Sequence, residues 1–127
     1  MTSRVTEIII DSHDPLSLAR WWAEVLDYEV GPPAPQGWVG ISPREGRPSE
    51  QAYRAAPQVP TIVFVPVPEA KSVKNRAHLD VWSVDRTPEE EVAWLLERGA
   101  AHVDIGQGDA PWVVLVDPEG NEFCVLG

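Results

Sequence analysis

The chain repeats itself, and that repeat constrains its fold more than any other feature. Arg4 to Asp14 reads RVTEIIIDSHD and Asn75 to Asp85 reads NRAHLDVWSVD; each is a short apolar run closed by an Asp, and a Pro-started helix signal follows each. In both copies an ionisable residue stands seven positions ahead of the closing Asp, Glu7 in the first and His78 in the second. The echo predicts two related modules, residues 1–70 and 71–127. A chain of 127 residues is long enough for a sizeable core but not for two independent ones, so the modules are expected to pack as one domain with a shared site between them.

Taken in order, Val5 to Ile10 is β-branched and apolar and reads as a buried strand, with Glu7, Ile9 and Asp11 on one face and Ile8 and Ile10 on the other. Asp14 caps a helix that starts at Pro15, with Leu18, Trp22, Val25 and Leu26 as its apolar stripe. Short strands are predicted at Tyr28 to Val30, Trp38 to Ser42 and Thr61 to Val67, with Pro43 to Pro60 a charged, Pro-rich loop between the last two. In the second copy His78, Asp80 and Trp82 share one strand face and Leu79 and Val81 the other. Thr87-Pro88-Glu89-Glu90 is a capping box, and Gly99 ends the helix it opens. Ala101 to Ile105, Pro111 to Val116 and Asn121 to Leu126 complete the order β-α-β-β-β for the second time.

Composition narrows the function. A net charge of −10 with no visible Lys or Arg cluster argues against nucleic acid as a partner. No apolar run is long enough to span a membrane and no secretory leader is visible, so a soluble, cytoplasmic chain is expected. The single Cys124 excludes an internal disulfide and a Cys-rich zinc site, yet leaves a packed thiol or one metal ligand open. Six Trp suit either a large core or a pocket for a flat organic ligand. No GxGxxG, phosphate loop, HExxH or Ser nucleophile elbow is present.

The segments DPLSLARWWAEVLDY, HLDVWSVD and DPEGNEFCVLG, in that order, resemble the vicinal-oxygen-chelate superfamily, closest to its glyoxalase-like domain branch. The superfamily includes glyoxalase I, extradiol dioxygenases, fosfomycin-resistance enzymes and bleomycin-resistance binding proteins. The resemblance implies an α+β fold of two βαβββ modules, forming a curved, cup-shaped mixed sheet with the helices outside. It also implies a homodimer. Metal-dependent members take their ligands from the first and last strands of each module, positions that fall here on Glu7, Val65, His78 and Cys124. Val65 cannot bind a cation, which leaves Glu7, His78 and Cys124 as a three-ligand set for one divalent metal such as zinc, nickel, manganese or iron.

The leading expectation is a metal-independent small-molecule binding protein of the bleomycin-resistance type, with no cofactor. Its organic ligand would lie in a cavity bordered by Trp38, Trp82 and Trp112 and be oriented by Glu7, His78 and Asp80. A metal-dependent lyase, isomerase or dioxygenase is the alternative, and an interaction module with an empty cup is another. Each residue also has a structural explanation. His78 can be a satisfied structural histidine, Glu7 a strand-end carboxylate at a wet mouth, and Cys124 a small packed hydrophobe. Asp80 either orients the imidazole or caps a loop with Lys74 or Arg76. Glu122 is solvated or structural, and Trp22 and Trp94 are core.

Overall fold

A computed structural model describes residues 2–127. It is an α+β structure in which the chain divides into two compact units, Met1–Ala70 and Lys71–Gly127. The first unit runs β1 (Glu7–Ser12), α1 (Pro15–Leu26), β2 (Tyr28–Val30), β3 (Val39–Pro43), α2 (Glu50–Ala55) and β4 (Thr61–Pro66). The second runs β5 (Leu79–Trp82), α3 (Pro88–Glu97), β6 (Ala101–His102), β7 (Val113–Val116) and β8 (Glu122–Leu126). The sheet orders, β1-β4-β3-β2 and β5-β8-β7-β6, are one topology used twice. In each, the first strand pairs in parallel with the last, and the remaining neighbours are antiparallel.

Local chemistry explains the elements. Asp14 accepts a hydrogen bond from the Ser17 amide, and Pro15 begins the helix without an amide hydrogen to waste. The buried face of α1 is Leu18, Ala19, Trp22 and Ala23, so the stripe is turned slightly from the expected one and Val25 and Leu26 are only half-buried. Against it, on the inner face of the first sheet, lie Val39, Ile41, Ile62 and Phe64, all buried. In the second unit Thr87 and Glu90 close a reciprocal capping box, and Leu95, Leu115, Phe123 and Val125 form the core. Among the described residues no helix is long and apolar enough to cross a membrane.

Several expectations are corrected. The stretch Pro43 to Pro60 is not one loop, because α2 interrupts it. Ser49 caps that helix, Glu50 and Arg54 pair along it, and buried Tyr53 is its single anchor, with too few apolar residues for a period to be read. The strand expected at Ala101 to Ile105 stops at His102, and Trp38 and Trp112 lie immediately ahead of β3 and β7 rather than within them. Trp94 is half-buried, not core: the guanidinium carbons of Arg98 and Arg86 lie 3.8 Å and 4.6 Å from its ring centroid, a cation–π arrangement.

Glu122 is structural. Its buried carboxylate accepts from Lys71 Nζ at 2.6 Å and from the Asn75 amide at 2.9 Å, tying the link that precedes β5 to the closing strand. Burial by itself would raise its pKa, but the Lys71 hydrogen bond, the Asn75 amide and the Lys71 charge together hold it below the ordinary value. With the folded pKa below an unfolded value of about 4.3, the pair stabilises the fold at neutral pH and the contribution disappears as pH falls through the folded pKa. Glu122→Gln is expected to cost about 1 to 3 kcal/mol at neutral pH. Chemical denaturation should show that deficit shrinking in acid. A deficit that persisted unchanged in strong acid would contradict this account.

Candidate functional site

Parallel pairing of β5 with β8 places Asp80 and Cys124 side by side as register partners. Strand alternation then sends both side chains to the same face. His78 is not mid-strand, as the sequence suggested; it lies just ahead of β5, where the backbone leaves the ladder. Its Nε2 stands 3.1 Å from Asp80 Oδ1, so the choice for Asp80 falls on the imidazole rather than on Lys74 or Arg76. The Cys124 thiol donates to the same carboxylate. One ligand atom from each of His78, Asp80 and Cys124 lies within 4.8 Å of the others.

The three differ in exposure. His78 and Asp80 reach solvent, while Cys124 is only 5% exposed at the floor. Burial pushes the thiol pKa up, and the Asp80 charge and hydrogen bond push it further, against a smaller opposing effect of Lys74. Cys124 is therefore a protonated donor at neutral pH, not a thiolate nucleophile. Next along the same face, Trp82 is 71% exposed.

In the first unit Glu7 is half-buried at the start of β1, and its carboxylate pairs with Arg47. Arg47 escaped the sequence reading because it sits in an aperiodic stretch. Beside Glu7 in register is Thr61, whose buried hydroxyl has no hydrogen-bond partner among the described residues. Trp38 belongs to this unit and is about half exposed, as is Trp112 in the second.

Register also corrects one assignment. His78 is to Asp80 as Glu7 is to Ile9, and Ile9 pairs with Val63 just as Asp80 pairs with Cys124. The first-unit counterpart of Cys124 is thus Val63 rather than Val65. Neither valine can ligate, so the first unit supplies no donor from its last strand at this level. Within the second unit, the donor that stands with His78 and Cys124 is Asp80. An imidazole nitrogen, a carboxylate oxygen and a sulfur suit zinc, and three such ligands leave a position open for a ligand or water. Binding would require Cys124 to surrender its proton.

The sequence profile of the glyoxalase-like domain family matches residues 7–126, and the chain belongs to that family. No curated protein matches it in sequence. Among solved structures it is similar to the fosfomycin resistance protein FosX from Mesorhizobium loti, at 9% identity and a TM-score of 0.65, covering 99% of this chain and 92% of that one. It is also similar to the trypanothione-dependent glyoxalase I of Leishmania major, at 16% identity and a TM-score of 0.62, covering 99% and 87%. A possible glyoxalase from Bacillus cereus aligns at 11% identity and a TM-score of 0.60 over 97% of both chains. At such identities these likenesses concern the fold alone. Together with the family match they place the chain in the vicinal-oxygen-chelate superfamily.

Asp80→Asn should lower the Cys124 pKa by removing the adjacent charge, while burial keeps it above the ordinary thiol value. Thiolate ultraviolet absorbance followed across pH reads this directly. An unchanged midpoint would mean that Asp80 does not act on the thiol.

Proposed function

We propose that this protein is a small-molecule binding protein that takes up a flat organic ligand without a metal. The observation that carries the reading is the hydrogen-bonded set His78, Asp80 and Cys124 beside exposed Trp82. With Nε2–H given to Asp80, Nδ1 is the ring nitrogen left for a ligand, and an unprotonated Nδ1 is an acceptor. A ligand hydroxyl or N–H can donate there while its ring lies on the Trp82 face. Stacking of this kind contributes about 0.5 to 1.5 kcal/mol beyond the area buried. Trp112, in the same unit and about half exposed, belongs to the same reading as a further ligand contact. In this reading the protein works in the cytoplasm as a homodimer.

Trp82→Ala and Trp112→Ala should each weaken an aromatic ligand found by tryptophan-fluorescence screening, Trp82→Ala by about tenfold. Their unfolding midpoints should stay near wild type, since Trp82 in particular contributes little to the core. Undiminished affinity in both variants would count against the assignment.

A second reading rests on the closeness of the three donor atoms. His78, Asp80 and Cys124, rather than Glu7, His78 and Cys124, would hold one divalent ion, which supplies a Lewis acid to an oxygen-bearing ligand. Cobalt titration distinguishes the readings. Stoichiometric uptake with a sulfur-to-cobalt absorption band, lost in Cys124→Ser and His78→Ala, supports the metal site, and absence of that band in the wild type rejects it.

A further inference from the structure

The first unit carries a feature that the proposed ligand site does not use. An open groove of about 830 Å³ is lined by Arg4, Arg47 and Arg54, by the hydroxyl residues Thr2, Ser3 and Thr6, and by a single acid, Glu50. The whole chain has ten Lys and Arg against twenty Asp and Glu. Three of those ten cations on one concavity with one lining acid invert the local sign of a protein whose net charge is −10. The cluster is invisible in the sequence because its members are far apart. It forms where the stretch ahead of β1 lies beside α2.

The groove is held in shape from beneath. Tyr53 is buried, and its hydroxyl stands 3.1 Å from the carbonyl oxygens of both Thr6 and Val59, which share its one proton. Arg4 Nη1 donates to the Tyr53 carbonyl at 3.0 Å. The stretch ahead of β1 and helix α2 are thereby fastened to each other. Arg54 gives Nε and Nη2 to one oxygen of Glu50, which leaves Nη1 without a partner among the described residues. Arg47 gives only Nη2 to Glu7. A guanidinium carries five N–H donors in a planar fork that fits an oxyanion, so each of these two groups keeps donors for a second acceptor. Both ion pairs are solvent-exposed on the arginine side, and exposed pairs of this kind are weak and exchange readily.

We infer that this groove is a second ligand site, for a small organic or inorganic polyanion with clustered oxygens, a pyrophosphate or a polycarboxylate. The anion lies between the Arg47 and Arg54 forks, and Glu50 competes with it for Arg54. The inference is independent of the His78, Asp80 and Cys124 reading and involves none of those residues.

Two probes, inorganic pyrophosphate and citrate, separate the phosphate from the carboxylate source. Each is titrated into the full chain while the arginine Nε–H signals are followed by NMR. At least one probe should give saturable shifts at Arg47 and Arg54, with no comparable shift at Arg44, whose guanidinium pairs with Asp27 elsewhere on the surface. Arg54→Gln should weaken binding about tenfold. Glu50→Gln should tighten it severalfold by removing the internal competitor. Arg44→Gln lowers the net charge by the same amount as Arg54→Gln and serves as the control for a general charge effect. Equal weakening in Arg44→Gln and Arg54→Gln, unchanged affinity in Glu50→Gln, or shifts that rise linearly with both probes would each overturn the proposal.

Discussion

The cluster of His78, Asp80 and Cys124 depends on a parallel pairing of first and last strands that each unit repeats. A parallel pair cannot be closed by a tight turn, so the chain spends a helix and two antiparallel strands on the return. The closing strand then lies between the opening strand and the rest of its sheet. That position makes β4 and β8 the most buried strands of their units, and Cys124 inherits its burial from it. Since side chains alternate with a period of two, a slip of one residue would turn Cys124 away from Asp80 and bring Phe123, part of the core, to the outer face. Core packing therefore fixes the polar cluster: the register that buries Phe123 and Val125 is the register that joins Asp80 to Cys124.

The same frame in the first unit carries different chemistry. Where the second unit pairs Asp80 with Cys124, the first pairs Ile9 with Val63, and its polar residues, Glu7 and Thr61, lie two positions earlier. Glu7 is provided with a counter-ion from outside the sheet, Arg47, whereas Asp80 draws on donors from its own sheet and the residue ahead of it. The two halves are thus alike in topology and unlike in the side chains they present.

Most of the fold was legible because it is written locally. Asp14-Pro15 and Thr87-Pro88-Glu89-Glu90 are stop-and-start signals that act through the nearest backbone amides, and alternation in Leu79 to Trp82 gave the correct faces. Helix α2 was not legible, since six residues with one buried anchor carry no period. Trp94 misled because a helical apolar position resembles core, whereas two arginines that flank it in sequence cover its ring instead. In β5 Asp80 and Trp82 alternate with Leu79 and Val81 as parity requires, and His78, just ahead of the strand, stands 3.1 Å from Asp80. The partnership of Asp80 with Cys124, and of Glu7 with Arg47, depends on tertiary register and loop path, which a single sequence does not encode at any fixed spacing.

One proton connects the readings of the second-unit cluster. While Cys124 keeps its hydrogen, the thiol is neutral and donates to the Asp80 carboxylate. Loss of that hydrogen would set a buried thiolate next to the Asp80 carboxylate, which burial of the sulfur and charge repulsion both oppose. A thiolate here consequently requires a cation to arrive with, or ahead of, its formation. A neutral ligand leaves the hydrogen in place and meets a polar, uncharged sulfur flanked by a carboxylate and an imidazole. A divalent ion would displace it, and His78, Asp80 and Cys124 would then be its ligands. The geometry is common to both readings, and the charge of what arrives would decide between them.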